Sequence, residues 1–198
     1  MKTLKLNAFK TPFQMLILII LFTNACAQSQ KNTNGNSMNS ETKETAVKPN
    51  MDIHTAIIMG NLEAVKQHIK SGTDINQKEP MSASTPLISA VTFNRPEIAK
   101  ALIDANADLS LKNNDGSTAL HTAAFFGRIE IVKLLIDAKA DRTIKNNFGA
   151  TPRETVMGDF KDVKPFYEML IQQLKPMGFE LDMNELQKAR PVVAMMLE

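Results

Sequence analysis

Three histidines, His54, His68 and His121, and one cysteine, Cys26, are the residues of this 198-residue chain best suited to chemistry near neutral pH. A histidine beside a carboxylate can move protons, and histidines grouped with acids can hold zinc. The spacing argues against both uses. His54 and His121 open the same triplet, His-Thr-Ala, so they are two copies of one position rather than partners. His68 falls on an amphipathic stretch and is expected to be solvated or partly buried. The acids Asp74, Asp108 and Asp141 recur at intervals of 34 and 33 ahead of Asn- and Gly-bearing text, which marks turn stabilisation rather than an acid–base pair. The text contains no HExxH, GxSxG, phosphate-cradling glycine loop or CxxC. No catalytic residue, metal ligand or cofactor is therefore expected, and the chain reads as non-enzymatic. A small enzyme with an unrecognised site is the least favoured reading.

The recurrence of those residues reflects a larger repetition. From Thr85 the text is "TPLISAVTFNRPEIAKALIDANADLSLKNN", and from Thr118 it is "TALHTAAFFGRIEIVKLLIDAKADRTIKNN"; 17 of the 30 positions agree. Thr85, Thr118 and Thr151 are equally spaced along the chain. Their period, near 33, predicts a helical solenoid. Within each unit the threonine can cap a short helix, and Pro86 and Pro152 suit the first helical position, where no N–H is needed. A second helix follows, with Ile98, Leu102 and Ile103, or Ile129, Val132, Leu135 and Ile136, on one face. "KNNDGS" and "KNNFGA" then supply Asn and Gly for tight turns.

These stretches, with "GSTALHTAA", "STPLISA" and "IVKLLIDAKAD" among them, resemble ankyrin repeats. The resemblance implies an all-α fold, an α-solenoid of about four repeats with short hairpin turns. The units are residues 51–80, 81–113, 114–146 and 147–174, followed by a C-terminal helical cap over 175–198. His54 and His121 stand at the family's scaffold histidine, which bonds between neighbouring repeats, while Ile88 replaces it in the second unit. Arg153 and Glu154 replace the expected Leu and His in the fourth, as suits a solvent-facing terminal repeat. In the tail, Met183, Leu186, Val193 and Leu197 share a helical face, Asp182 and Glu185 can cap it, and Pro191 is expected to kink or restart it.

The same resemblance implies an extended concave surface for a protein partner. Its residues would be Met59, Phe93, Phe125 and Phe126, an apolar stripe unless the rings fold back onto the adjacent repeat or the hairpins. The turns offer a second surface at Lys78, Glu79, Met81, Asn114, Asp115, Asn147 and Phe148. Asn114, Asp115 and Asn147 fit ordinary turn chemistry, whereas Phe148 has no turn duty and is a candidate partner contact.

The N-terminal segment, residues 1–25, reads differently. Three lysines precede the apolar run Met15–Phe22, which is too short to span a bilayer and fits a secretory signal. The segment resembles a bacterial lipoprotein signal in which Cys26 would be acylated, although Thr23 and Asn24 depart from the usual pattern. Cleavage after Ala27, releasing a soluble periplasmic or secreted protein, is the alternative. Residues 26–50 are polar and read as a flexible tether. Removing residues 1–25 takes away three lysines and no acids, which turns the formal charge from +2 to −1 and weakens any case for nucleic acid. The expected location is the bacterial envelope, lipid-anchored through Cys26 and facing the periplasm. The expected role is binding an unidentified protein, in support of a periplasmic stress-defence enzyme. An immunity protein that inhibits a periplasm-delivered toxic effector is the alternative.

Overall fold

A computed structural model describes residues 50–198. The segment read as a signal, Cys26 and nearly all of the stretch read as a tether lie outside the described residues. Among the described residues every regular element is a helix.

The first three units are helix pairs: α1 (Ile53–Ile58) with α2 (Leu62–Lys70), α3 (Pro86–Thr92) with α4 (Pro96–Asp104), and α5 (Ala119–Phe125) with α6 (Ile129–Asp137). Helices of six to nine residues are marginal alone and need tertiary packing. Their starts are fixed by side-chain caps. Asp52 accepts from Thr55 N–H, Thr85 from Ile88 N–H and Thr118 from His121 N–H. Each first helix then reverses through a residue of positive φ, which is glycine at 60 and 127 but Asn94 in the second unit. Asparagine tolerates that region better than other side chains do.

The pairs stack in two layers. α1 packs on α3 and α3 on α5, while α2 packs on α4 and α4 on α6. Ala56, Ala90 and Ala123 are fully buried at matching positions of the inner layer, where a small side chain lets neighbouring helices approach. Leu102 and Leu135 fill the corresponding place in the outer layer. In the first unit that place belongs to His68. It is buried more fully than the solvated or partly buried side chain that the sequence suggested, and its ring bonds Thr73 Oγ1 at 3.0 Å and Met51 O at 2.8 Å. Hydrogen bonds to both nitrogens make a polar ring acceptable in a leucine site.

The fourth unit departs from the register read in the sequence. Its first helix is a single 3-10 turn, Glu154–Val156, seated on α5. The next helix, α7 (Phe160–Leu174), does not continue the outer layer. That place is taken by α8 (Met183–Met196), which packs on α6 and on the 3-10 turn. The fourth repeat is thus completed by the segment expected to be a separate cap, and residues 157–182 are an insertion within it. Burial explains the exchange. α8 and the residue after it bury Leu186, Ala189, Val193 and Leu197, whereas α7 fully buries only Tyr167. α8 also runs through Pro191 without a break, with the proline on its exposed side. Gly127 makes the close approach possible: a Cβ there would lie 2.9 Å from Leu186 Cδ1 and 3.0 Å from Ala189 Cβ.

The hairpin turns are braced along the stack in both directions. Lys78 Nζ donates to Lys112 O, and Lys112 Nζ donates to Lys145 O. Asn114 Nδ2 donates back to Met81 O, and Asn147 Nδ2 to Asn114 O. Within the junctions Asp74, Asp108 and Asp141 each accept from a backbone N–H two positions on. Bonds from Ser110 and Thr143 hold the Asp108 and Asp141 carboxyls below the ordinary range. These acids stabilise turns.

Candidate functional site

The three first helices end on one side of the stack and bring Ile58–Met59, Thr92–Phe93 and Phe125–Phe126 into a row. The sequence left open whether these rings lie free or fold back. Phe93 and Phe126 do not lie free: only 8% and 7% of their surfaces remain exposed. They are covered by the insertion. The Phe179 ring sits 6.4 Å from that of Phe93 and 5.2 Å from that of Phe126, both edge-on, and is itself buried. Tyr167 stacks on Phe125 at 4.5 Å, and Phe166 meets Phe125 edge-on at 5.9 Å. Edge-on and offset arrangements favour the ring quadrupoles. The stripe is therefore the floor of a second hydrophobic cluster, centred on Phe93, Phe126, Tyr167, Phe179 and Leu186. Met59, at the open end of the row, remains 67% exposed.

Hydrogen bonds fasten the lid. Tyr167 Oη donates to Phe125 O at 2.6 Å. Arg190 of α8 is buried and donates to Tyr167 Oη at 3.2 Å and to Gly158 O at 2.9 Å. Arg128 donates to Glu180 O at 2.9 Å, and its guanidinium lies about 6 Å from the Phe126 and Phe179 centroids. Burial pushes the Tyr167 phenol up to about 12, against the opposing pull of Arg190. Burial likewise brings Arg128 down to about 10, which leaves it charged at neutral pH. Tyr167, Phe179 and Arg190 were missed by sequence reasoning. The one available signal was that they lie where the repeat register fails.

The hairpin tips form the other surface. Met81 is 89% exposed and Phe148 63%, with Asn114 and Asp115 exposed between them. Asn114 and Asn147 serve as bracing residues, in keeping with turn chemistry. Glu79 holds its turn by accepting from Met81, Ser82 and Ser84 N–H groups. Burial alone would raise its carboxyl, but these bonds outweigh it and hold the group below the ordinary range.

The histidines carry structure. His54 bonds Gln77 O and, in the next unit, Ser89 Oγ. His121 Nε2–H donates to Ala150 O at 3.1 Å, and its Nδ1 accepts from Thr118 N–H at 3.3 Å. Among the described residues no three His, Cys, Asp or Glu side chains come together to hold a metal ion. No helix among them is long and apolar enough to cross a membrane.

Known proteins share the repeated part of this chain. Residues 53–146 match the family model described as ankyrin repeats (3 copies). Human and mouse proteins, each called Protein phosphatase 1 regulatory subunit 27, are 42% identical over 64 residues, which is 32% of this chain and 41% of theirs. The chain thus spans about two fifths of the length of these curated relatives. Among solved structures, the ankyrin repeat domain of Bcl-3, described as a unique member of the IkappaB protein family, superposes with a TM-score of 0.51. It is 30% identical and covers 52% of this chain and 45% of that one. The family match ends at residue 146, just before the unit that the insertion splits.

Proposed function

Residues 53–146 are ankyrin repeats, and from that premise we propose that the protein is a non-enzymatic binding module that holds another protein along its hairpin tips, from Met81 to Phe148. The observation that carries this reading is the division of exposed apolar surface. The groove rings Phe93 and Phe126 are buried beneath the chain's own insertion, while Met81 and Phe148 stand out from the tips. Bracing by Lys78, Lys112, Asn114 and Asn147 fixes the tips before any partner arrives, which lowers the ordering cost of association. The curated relatives are regulatory subunits of an enzyme by name. We take an enzyme as the partner here as well, either a stress-defence enzyme of the envelope or a toxic effector that the protein blocks.

A photo-crosslinking residue placed singly at Met81, Asp115 and Met59 tests the surface. Crosslinks to one protein from 81 and 115, and none from 59, are the expected result. The opposite pattern would return the site to the groove. Met81→Glu and Phe148→Glu should leave the melting temperature within about 2 °C, since exposed substitutions cost about 0.5 kcal/mol or less, while capture of that protein drops.

The envelope location rests on the apolar run Met15–Phe22 and on Cys26 shortly after it. Cys26→Ser should move the protein from the membrane to the soluble fraction and abolish labelling by a radioactive or clickable fatty acid. Retention in the membrane would overturn the lipid anchor.

A further inference from the structure

We propose that residues 157–182 are a tethered, displaceable ligand of the concave groove, so that the protein carries a second, latent surface for an amphipathic helical segment with two aromatic anchors. Several observations converge on this. The repeat stack is complete without the insertion, because α8 supplies the outer helix of the fourth unit against α6 and the 3-10 turn. Removing the insertion from the groove therefore leaves every repeat with its neighbour.

Two buried side chains anchor the insertion, while Phe160, Val163, Leu170, Ile171, Leu174 and Leu181 pack against the second cluster only partly buried. Tyr167 is the one fully buried side chain in the 15 residues of α7, and Phe179 is the buried anchor in the segment that follows. The ion pairs of Lys161 with Asp159 and of Lys164 with Glu168 are internal to it. Pro165 interrupts the hydrogen-bond ladder of α7, and Gly158 opens the insertion with nothing within 4 Å of where its Cβ would be.

What it covers has the character of a docking surface. Lifting it would expose Ile58, Phe93, Phe125 and Phe126 as one apolar strip, with Arg128 left to seek an acceptor. The occupant itself describes the ligand class. It offers the Tyr167 ring to the face of Phe125 with Phe166 edge-on beside it, the Phe179 ring to the Phe93–Phe126 pair, and a backbone carbonyl to Arg128. A short tether gives such a segment an effective concentration on the order of millimolar, so an outside helix succeeds only by binding better or by arriving at high local concentration.

Hydrogen exchange on the full wild-type chain is the first test. The α7 amides should exchange at least 100-fold faster than the protected amides of α3 and α5, by an opening that leaves the repeats folded. Equal protection would show that the insertion opens only with global unfolding, and would overturn the proposal. The second test uses a fluorescent synthetic peptide of residues 159–182 as probe. Full-length protein with Tyr167→Ala and Phe179→Ala should bind it at least 10-fold more tightly than wild type. A folded double variant that fails to bind the peptide would equally overturn the proposal. If the double variant does not fold, the exchange measurement decides alone. Neither test involves the hairpin tips, so failure here leaves the binding reading of that surface standing.

Discussion

Phe126→Glu is expected to lower stability by about 4 kcal/mol, from losing a buried ring and burying an unpaired carboxylate among aromatic side chains. For a folded part of this size that corresponds to a fall of roughly 10–15 °C in melting temperature. The substitution sits in the centre of the second cluster, between Phe125 and Phe179, with the Arg128 guanidinium about 6 Å away. Arg128 offers partial compensation only, because its hydrogen bond to Glu180 O would have to be given up. Met59→Glu is the matched control. It places the same charge on the same row, where the side chain is 67% exposed, and should leave the melt nearly unchanged. Thermal unfolding followed by circular dichroism separates the two. If both variants melt like the parent, the insertion does not cover the groove in solution, and the aromatic stripe is open after all.

The second large effect is expected at His121. His121→Ala should cost about 3 kcal/mol in chemical denaturation, because it removes a buried ring, half of a capping box and the donor to Ala150 O. The effect should also depend on pH. The folded ring is neutral, with its proton on Nε2 facing Ala150 and Nδ1 accepting from Thr118 N–H. Burial is the largest influence and lowers its pKa from the ordinary 6.5; the bond to Ala150 pulls the other way, and Lys112 adds to the lowering. The unfolded chain therefore takes up a proton near pH 6.5 while the folded one resists. The stability tied to a neutral His121 is full above that pH and drains away as pH falls toward the lower folded value. Denaturant titrations should show the gap between wild type and His121→Ala constant between pH 7 and 8 and shrinking below 6.5. A gap that widens on acidification would mean that the ring is protonated in the fold.

Much of the array can be read in the text because each unit states its own rules. Thr85 and Thr118 cap the helices they precede, Ile98 with Leu102 and Val132 with Leu135 face inward, and Asp108 and Asp141 hold their turns. All of these act over short stretches of chain, so spacing alone exposes them. The candidate site was legible only in part. Phe148 and Met59 stand exposed at a turn and at a helix end, but the fate of Phe93 and Phe126 depends on Phe179, which lies beyond the matching repeats altogether. No periodicity within the repeats carries that information.

The fourth unit was misread for a related reason. "DFKDVKPFYEMLIQQL" stands where the next outer helix falls due, although the repeat motif has faded there; it has an amphipathic pattern, and its interior Pro165 is matched by Pro191 of α8, so local criteria do not separate the two segments. α8 wins the place because it and the residue after it bury Leu186, Ala189, Val193 and Leu197, a comparison between two segments that neither segment reveals. His68 shows the same limit on a smaller scale: its burial rests on Met51 O, brought in from the other end of the unit.

The split repeat also bears on how the chain acquires its shape during synthesis. In the first three units the two helices are joined by short links, Met59–Asn61, Phe93–Arg95 and Phe126–Arg128, so each pair can close as soon as it leaves the ribosome. In the fourth, the whole stretch from Met157 to Asp182 separates the 3-10 turn from α8. For a flexible connection that difference adds on the order of 2 kcal/mol of closure entropy, and it delays the last contact until residues 183–196 have been made. During that interval the face of α6 that α8 covers is bare, and the aromatic groove stays open until Tyr167 and Phe179 have been made. The last apolar surface of the stack to be covered is thus the one that waits for α8.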